Sequence, residues 1–490
     1  MKTKILYILS CSGLALFAMM CMQACSKILD KQPQTQTVAP ADNATISAAD
    51  AENLISGAYT TYRGYDFGLE LNVLDRIVNG DAIADNCYAG GDNLDNITLD
   101  LFTANSLNGN VARDWKDAYG IIGRLNIAID QVEKCVDPAL SAGRKNQILG
   151  ESKFMRAYSY FDLVRLYGRV PLLLAPADTK DAETLLNSTI VPQSSTDSIY
   201  DAILKDLWFA RSTVRSVGAS DSKFTVATGT VNATLAKVYA SLPTPNWDSV
   251  LYYCNATIPD YSLVPDFTFL WDNNHKNNSE AIWELNYEGY DVIGNWVPSI
   301  FLGSDWKRFN TPTNDLVNAY TAEHDSIRMN ASISFADMRG HWTDKYWNLA
   351  NYPFLAKYND PFNGTNDFYI IRLPDILLLK AEALVEKADI NGAMALVNQV
   401  RARVKLSPKA AVSADDARNI IANERRLELA FEGHRWFDLL RTGKAISTMN
   451  AQKDGSGNNL NYNVDAHRLL MPIPQAQIDL NPLLTQNEGY

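Results

Sequence analysis

Apolar residues that recur every three or four positions are the feature that most restricts how this chain can fold. Between residues 115 and 132 they line one face of a helix, at Trp115, Ala118, Tyr119, Ile122, Leu125, Ile129 and Val132. This spacing predicts an amphipathic helix, because about 3.6 residues complete one helical turn. Similar stripes occur in four further segments: Met155 to Tyr167, Ile199 to Val214, Val231 to Leu242 and Ile376 to Val385. Strand-like alternation is scarce, so the pattern predicts a mainly α fold.

Several predicted helices come in pairs that are joined by short breaks. Val231–Leu242 is followed by Pro243-Thr244-Pro245 and then by an aromatic helix from Trp247 to Ala256. Ile376–Glu386 is followed after a short break by a helix over Gly392–Val404. A helix, a break and a second helix form the unit of tetratricopeptide-like helical hairpins. The sequence therefore predicts a scaffold of helical hairpins, with a plain helical bundle as the alternative.

Residues 258 to 370 differ in composition from the predicted scaffold. Pro, Gly and Asn are dense there, aromatic residues are frequent, and helical stripes are short apart from Asp315 to Tyr320. Such a stretch is too long for an idle loop in a compact protein, so it is the better place to look for function. A shorter segment, Asn79 to Asn96, has the same character. We expect one domain over 46–490, with the scaffold at about 46–257 and 371–445 and an irregular, ligand-binding insertion at about 258–370.

The first 45 residues predict export and attachment to a membrane. Two lysines precede an apolar run from Ile5 to Met22, as in a secretory signal peptide. A membrane-spanning helix is the alternative, but two serines and a glycine weaken the run as an anchor. Ala24 stands directly before Cys25, which is the pattern of a bacterial lipoprotein cleavage site. We predict a signal peptide over 1–24, a lipid-modified Cys25 and a polar tether over 25–45, with ordinary cleavage and release as the alternative.

Composition excludes several classes of partner and site. The formal net charge of −12 and the pI near 5.0 argue against a broad surface for nucleic acid or anionic lipid, because both reward lysine and arginine. Beyond Cys25 the mature chain carries Cys87, Cys135 and Cys254, an odd and widely spaced set that is no disulfide framework. No CxxC pair is present for zinc. We expect no cofactor and no nucleic acid partner, and we expect the three thiols to be buried or half-buried.

Catalytic motifs are absent as well. The five histidines show no metal-ligand spacing, and neither a GxSxG elbow nor a phosphate-binding loop occurs, so we predict no metal site and no catalytic residue. A charge cluster near the C-terminus has i, i+3 and i+4 spacings that make acids and bases neighbours on a helix: Glu424, Arg425, Glu428, Glu432, Arg435, Asp438 and Arg441. A catalytic pair of Glu432 and Asp438 is one interpretation. Structural ion pairing is the better interpretation, since the sequence places arginines at helical spacings from these carboxylates.

Two irregular stretches offer what sugar binding requires, namely aromatic faces for C–H surfaces and short polar groups for hydroxyls. The first stretch contains Asp81, Asp85, Asn86, Tyr88, Asp92 and Asn93, with glycines between them at 90 and 91. The second contains Tyr287, Tyr290, Trp296, Trp306 and Arg308. We predict that these eleven residues bind ligand; the alternative is that the tryptophans only pack the insertion onto the helices. Weaker candidates are Trp342 and Trp347, whereas Trp283 is predicted to be core and Asp325 with Arg328 a structural ion pair.

Four patches of the sequence together resemble the SusD/RagB family. The most specific is the run from Asn423 to Arg441, which reads NERRLELAFEGHRWFDLLR. The others are the run from Arg156 to Leu163 with the glycine and proline that follow it, the run Arg372-Leu373-Pro374-Asp375, and the ending from Met471 to Tyr490. They lie in matching order across nearly the whole mature chain, and the lipoprotein start agrees with them.

The resemblance implies a non-catalytic, surface-exposed outer-membrane lipoprotein that sits as a lid on a SusC-like TonB-dependent transporter. In that family the helices form a scaffold that contacts the transporter, and irregular insertions bind the ligand, which is usually an oligosaccharide. In that family the loop at the place of Tyr88 contributes to the ligand site. The starch-binding member looks rich in tryptophan there, so Tyr88 indicates a different ligand. The resemblance thus predicts glycan binding and delivery. A peptide-binding lid and a secreted helical glycoside hydrolase are the alternatives.

Overall fold

Capping residues and a glycine set the ends of the two longest helices. Asn108 and Ser141 cap the first free backbone N–H groups of Gly109–Lys134 and Ala142–Tyr167. Gly168 ends the second of these helices with φ of 71°, a left-handed conformation that suits glycine because it lacks a Cβ atom. The predicted stripe is confirmed: apart from the half-buried Tyr119, its residues are all buried on one face of Gly109–Lys134.

The computed structural model describes residues 45–64, 70–217, 222–302 and 307–490. Its α-helices within these ranges are α1 Ala48–Tyr62, α2 Leu74–Ile77, α3 Leu94–Asp100, α4 Gly109–Lys134, α5 Ala142–Tyr167, α6 Ala182–Thr189, α7 Thr196–Thr213, α8 Thr228–Ala240, α9 Trp247–Thr257, α10 Val297–Phe301, α11 Asn314–Ala322, α12 Ser326–Ser332, α13 Leu373–Glu386, α14 Ile390–Arg403, α15 Ala414–Glu428, α16 Arg435–Arg441, α17 Ala445–Asn450 and α18 Gln475–Leu480. A π-helical turn covers Val78–Ala82, and short 3-10 turns lie at Ile258–Asp260, Phe267–Leu270, Leu349–Asn351 and Ala466–Leu469.

The paired helices confirm the predicted hairpins. Helix α8 packs against α9, and α13 packs against α14, each pair being joined by a short connection. Asn246 caps α9, and Asp389 caps α14. Helices α4, α5 and α7 pack in the same neighbour-to-neighbour manner, so apolar faces of successive helices bury one another. The fold is therefore mainly α, as the periodicity predicts.

Strands occur mostly in the segment between α9 and α13. The described residues form three two-stranded antiparallel sheets, which pair β1 Cys87–Tyr88 with β3 Thr311–Pro312, β2 Ala281–Leu285 with β6 Phe368–Arg372, and β4 Ile333–Ala336 with β5 Tyr352–Leu355. All five residues of β2 are buried, and Trp283 lies edge-on to Tyr158 at a ring distance of 5.1 Å. Trp283 is thus a core residue, as predicted.

A buried ion-pair network joins the C-terminal motif to β6. The guanidinium of Arg372 donates to the carboxylates of Glu280, at 2.9 Å, and Glu432, at 2.7 Å, and it also pairs with Glu428. Lys357 donates to Glu432 at 2.7 Å. Arg372, Glu280, Glu428, Glu432 and Lys357 are all fully buried, so each charge depends on its partners for stabilisation.

The C-terminal charge cluster corrects one sequence prediction. The motif does not continue as one helix, because α15 ends at Glu428 and α16 begins at Arg435, with Phe431 and Gly433 between them at positive φ. Most ion partners accordingly come from distant elements instead of from neighbouring helical turns. Structural ion pairing itself is confirmed for Asp438, which pairs with Arg425 at 3.0 Å and with Arg441 at 2.7 Å.

Two further sequence predictions are confirmed elsewhere in the fold. Arg328 and Asp325 form the predicted ion pair, fully buried. Cys87, Cys135 and Cys254 are free and buried. Within the described ranges no helix is long and apolar enough to cross a membrane. The predicted signal peptide, Cys25 and the tether up to residue 44 lie outside the described residues, and so does Trp306.

Candidate ligand-binding site

The pairing of β1 with β3 brings the two predicted ligand-binding stretches together. Gly90 N donates to Arg308 O at 2.9 Å, and Lys307 Nζ lies 3.0 Å from Asp92 Oδ2. Gly91 has φ of 79°, and a Cβ atom placed on it would lie only 1.5 Å from the carbonyl oxygen of Lys307. Only glycine allows this approach of the two backbones, so the glycines that separate the polar residues of the first stretch have a structural purpose.

A third segment completes the site, and it is the loop that connects β4 to β5. Its Asp344 accepts hydrogen bonds from Tyr88 Oη at 2.8 Å and from Tyr352 Oη at 3.2 Å. The backbone N–H groups of Tyr346 and Trp347 donate to the other carboxylate oxygen at 2.8 and 3.1 Å. Asp344 therefore holds the loop 337–351 against the two predicted stretches.

Arg308 contributes a positively charged group to the site. Its guanidinium carbon lies 4.2 Å from the centre of the Trp342 ring, in a cation–π contact. One of its nitrogens lies 3.4 Å from Tyr352 Oη and 3.7 Å from the carboxylate of Asp344. The Trp342 ring stands edge-on to Tyr352 at 5.3 Å. The side chain of Arg308 is thereby oriented by two rings and a carboxylate, although its backbone adopts a strained φ of 49°.

Open aromatic surface belongs mainly to the loop between β4 and β5. Trp342, Tyr346 and Trp347 are half-buried, and Phe335 lies edge-on to Trp347 at 6.1 Å. The indole N–H of Trp347 donates to Pro312 O at 2.8 Å, which fixes that ring beside β3. The sequence marks Trp342 and Trp347 only as weaker candidates, because no local pattern there distinguishes them from core residues.

Polar groups stand around these rings. Asp92, His341 and Lys345 are exposed, and Lys307 is half-buried. The ammonium group of Lys345 lies 4.7 Å from the centre of the Tyr346 ring. Rings with partly open faces and polar groups at their edges are the arrangement that binds sugars, because each pyranose presents an apolar face and a rim of hydroxyls.

Tyr88 is buried beneath this surface. It is 2% exposed, its hydroxyl lies 3.0 Å from that of Tyr352, and its ring contacts the Tyr346 ring at 4.1 Å. Burial raises the pKa of the Tyr88 phenol well above its ordinary value, and the nearby Tyr352 and Asp344 raise it further. A direct ligand contact, as predicted from the sequence, is not available to Tyr88 in this conformation. The ring supports Tyr346 instead.

Asp85 anchors the first stretch to the C-terminal motif. It is 2% exposed, and it accepts two hydrogen bonds from Arg435, at 2.7 and 2.8 Å. Arg426 lies 3.2 Å from the same carboxylate and donates to Asn86 at 2.9 Å. Burial alone would raise the pKa of Asp85, but the charges of Arg426 and Arg435 outweigh it and lower that pKa to about 2. Asp85 and the buried Asn86 are thus closed to a ligand here.

Asp81 also faces the motif. Its carboxylate accepts hydrogen bonds from Gly433 N at 2.5 Å and from Asn86 Nδ2 at 3.1 Å. Burial raises its pKa to about 6, against the opposing effect of those bonds. Gly80 packs so closely on Gly433 that a Cβ atom there would lie 2.3 Å from its backbone. The Asp81 carboxylate is therefore occupied by hydrogen bonds within the protein, because Gly433, 352 positions later in the chain, packs against it. It is not available to a ligand.

The remaining predicted residues fall into three environments. Asn93 is the N-cap of α3 and is half-buried. Tyr287 is 2% exposed and donates its hydroxyl to Arg63 O at 2.6 Å, so it too is closed to a ligand. Trp296 is half-buried against the core, which is the packing alternative considered for it.

Tyr290 packs against the loop around residues 360–364, and its hydroxyl donates to Asn295 O and Pro361 O, each at 3.3 Å. Its side chain is exposed, and its backbone N–H donates to Asn363 O at 3.1 Å. Val292 and Phe362, which is 84% exposed, lie in the same pair of loops. Among the described residues the structure therefore joins Asp92, Lys307 and Arg308 to the Trp342 loop, and it leaves Tyr290 in a second exposed patch.

Comparison with known proteins identifies two family models that match this chain. Residues 300–490 match a model described as SusD family, and residues 28–240 match one described as starch-binding associating with outer membrane. A SusD-like protein of Formosa agariphila is 26% identical over 431 residues, which cover 78% of this chain and 80% of the relative. A SusD-like protein of Bacteroides ovatus is 22% identical over 471 residues, which cover 79% of this chain and 82% of the relative.

Solved structures share the fold. A laminarin binding SusD-like protein superposes with a TM-score of 0.73 at 24% identity, covering 91% of this chain and 100% of that chain. Surface glycan-binding protein A from Bacteroides uniformis has a TM-score of 0.73 at 22% identity, with coverages of 90% and 99%. The helical-hairpin architecture described above is common to all of them.

Proposed function

Because this chain belongs to the SusD/RagB family, we propose that it is an outer-membrane lipoprotein that binds a glycan and delivers it to a SusC-like TonB-dependent transporter. The two solved relatives described above are named as a laminarin binding protein and as a surface glycan-binding protein. This chain is likewise a binding protein and not an enzyme. Glu432 and Asp438 agree with that assignment: burial raises the pKa of each, but paired cations outweigh it and keep both below their ordinary values.

The proposal rests on one observation: Arg308 contacts Trp342 and Asp344, which come from a segment that is separate from it in sequence. Half-buried rings at Trp342, Tyr346 and Trp347 offer faces for pyranose stacking. Arg308 provides a guanidinium whose orientation is set before a ligand arrives, which lowers the entropic cost of binding. The acylated Cys25 would hold this site at the cell surface, and the loops would release the glycan unaltered to the transporter.

Binding to a panel of oligosaccharides, with laminarin included, tests the proposal. We expect calorimetry on the soluble form beginning at Ser26 to detect a ligand, and we expect Trp342→Ala to weaken its binding at least about 10-fold, since a buried aromatic contact contributes about 1–3 kcal/mol. Tyr252→Ala is the matched control, because that ring is 56% exposed on α9, away from the site.

Two outcomes contradict the proposal. Equal loss of affinity in the Tyr252 and Trp342 variants would show that the loop between β4 and β5 has no special role. Release of reducing ends from the bound oligosaccharide would identify a hydrolase instead, and binding of peptides alone would identify the peptide-binding alternative.

A further inference from the structure

Four buried carboxylates meet where the chain before the π-helical turn packs on α4. Glu70 and Asp75 come from that part of the chain, and Asp114 and Asp117 come from α4; none of the four is more than 8% exposed. Within the described ranges the cation that contacts them is Arg113, which lies 3.1 Å from Glu70 and 2.6 Å from Asp75. We call these four carboxylates the acidic junction. If all were ionised, four negative charges would face one positive charge away from water, and burial disfavours the charged form.

The hydrogen bonds of the acidic junction indicate where it holds protons. Asp114 accepts a bond from Asn79 Nδ2 at 2.7 Å and is also hydrogen-bonded to Asp75. A bond between two carboxyl groups needs a proton on one of them, because a carboxylate has no hydrogen to donate. Asp117 accepts the backbone N–H of Glu70 at 2.9 Å, but its other oxygen is buried without a partner among the described residues. A proton on that oxygen removes a charge that nothing there stabilises.

Three groups of the junction have raised pKa values, and burial is the main cause in each. The pKa of Glu70 rises from 4.5 to about 7, and Arg113 offsets only part of that rise. The pKa of Asp117 rises from 3.8 to about 6, although its backbone hydrogen bonds oppose the rise. The pKa of Asp114 rises well above its ordinary value, through burial and then through Asp75. The junction therefore gains and loses protons near neutral pH.

Other titratable and charged groups near the junction do not replace Arg113. Tyr167 of α5 stays protonated, because burial and the carboxylates of the junction raise the pKa of its phenol. Lys116 of α4 is exposed. Asp81 follows in the π-helical turn, and burial raises its pKa to about 6, but its carboxylate faces Gly433. Charge that appears in the junction is thus opposed by one arginine only, within the described residues.

The junction lies directly before the stretch that leads into the candidate ligand-binding site. The backbone N–H groups of Glu70 and Leu71 both donate to Asp117, at 2.9 and 3.4 Å. Asn79, which donates to Asp114, belongs to the π-helical turn Val78–Ala82, and β1 follows five residues after that turn. Such turns often lie at functional sites. The carboxylates of α4 therefore hold the beginning of the chain segment that ends in the site.

We propose that the acidic junction is a proton-operated clamp: bound protons hold residues 70–86 against α4, and their loss at higher pH loosens this stretch and lowers the affinity of the site for its glycan. The clamp itself stands on the junction, and only its effect on glycan affinity rests on the proposed function. Its sign follows from the raised pKa values. The stabilisation is complete below the ordinary pKa values of 4.5 and 3.8, and it is lost as the pH rises through about 6 for Asp117 and about 7 for Glu70.

Hydrogen–deuterium exchange of the full-length protein in mild detergent tests the clamp. The double variant Glu70→Gln, Asp117→Asn keeps the shape and the acceptor oxygens of both side chains but cannot titrate. At each pH the exchange rate of residues 70–86 in the wild type is divided by that in the double variant, which cancels the intrinsic pH dependence of exchange. We expect this ratio to rise at least about 5-fold between pH 6 and pH 8, because the shift of Glu70 alone favours the open state about 10-fold more at the higher pH.

Glu133→Gln is the matched control, because Glu133 lies on the same helix with a side chain that is 52% exposed. Its ratio to the wild type should not change with pH. A constant ratio for the double variant would overturn the clamp. The wild type provides a second measurement that needs no variant: exchange of residues 70–86 should rise with pH relative to exchange of α7 in the same molecule, and an equal rise in both would also overturn the clamp.

Calorimetry separates the clamp from the proposed function. Affinity for laminarin, or for the tightest-binding sugar of the panel described above, should fall at least about 2-fold from pH 6 to pH 8 in the wild type and should fall less in the double variant. Asp81 and Asp100 are present in both proteins, so their titration cancels in this comparison. Equal falls would overturn the effect on the site. Absence of binding to every sugar would contradict the proposed function, whereas the exchange ratio would still decide whether the clamp exists.

Discussion

Replacement of Asp85 by asparagine should destabilise the protein and weaken glycan binding together. Asp85 is buried, and its carboxylate neutralises Arg435, at 2.7 and 2.8 Å, and Arg426, at 3.2 Å. An asparagine has nearly the same shape but no charge, so Arg435 would remain buried without its counter-ion, and Arg426 would keep only its ion pair with Asp315 at 2.6 Å. The loop that carries Gly91 and Asp92 would lose its anchor on the C-terminal motif.

Two estimates of the free energy of unfolding that Asp85→Asn would remove agree. The pKa of Asp85 falls from its ordinary value of 3.8 to about 2, and a shift of that size corresponds to about 2–3 kcal/mol. Removal of one partner from a buried ion pair costs about 3–5 kcal/mol in measured cases. We therefore expect a loss of about 3 kcal/mol at pH 7. With an unfolding entropy of about 2 cal/mol/K per residue, this loss lowers the melting temperature of a domain this large by roughly 3 °C.

The pH dependence has a definite sign. Because the folded-state pKa of Asp85 is depressed, its charge stabilises the fold above pH 3.8, and that stabilisation is lost as the pH falls towards 2. The difference between wild type and Asp85→Asn should therefore narrow at pH 3. Thermal and urea unfolding of the soluble form at pH 7 and pH 3 measure both effects, and calorimetry measures the accompanying loss of glycan affinity.

Asp92→Asn is the matched control for this substitution. Asp92 is exposed and pairs with Lys307, also at the surface, so its loss should change stability by less than about 1 kcal/mol. A melting temperature of Asp85→Asn equal to that of Asp92→Asn would refute the reasoning. So would a wild-type glycan affinity in Asp85→Asn, because it would show that the anchor does not position the site.

Three further predictions concern pH, backbone geometry and the membrane anchor. Burial raises the pKa of Asp100 to about 8, so the folded state holds a proton that the unfolded state releases above pH 3.8. The free energy of unfolding should therefore fall as the pH rises from 3.8 towards 8. Asp100→Asn should flatten this decline in urea titrations. Gly91→Ala should abolish glycan binding in calorimetry because its Cβ would collide with the carbonyl of Lys307, whereas Gly340→Ala, at a similar φ but with open space around it, should keep it. Cys25→Ala should move the protein from the membrane fraction to the soluble periplasm on cell fractionation, and unchanged fractionation would rule out acylation there.

The helical scaffold could be predicted because its signal is local. Each stripe, such as the one from Trp115 to Val132, repeats with the period of a single helix, and the residues that generate it are its own neighbours. Breaks such as Pro243-Thr244-Pro245 are equally local, since proline cannot continue a helix. The motif around Gly433 indicated the family, but its sequence did not show that the backbone turns between α15 and α16.

The ligand site could be predicted only as a region. The sequence identified the two irregular stretches that meet at β1 and β3, and it named Asp92 and Arg308, which lie at the site proposed above. It could not show that Asp85 is sealed by Arg435, because that partner lies 350 residues away. It also could not show that Trp342 lies over Arg308, since the loop between β4 and β5 has no periodicity that fixes its path.

By itself, then, the sequence determined which segments are helical, which are irregular and what kinds of side chain are available for binding. The tertiary structure decided which of those side chains stay open at the surface and which stabilise the loops beneath. The physical reason is that burial depends on contacts between distant segments: a tyrosine is half-buried at position 346 and fully covered at position 88, according to what packs over it.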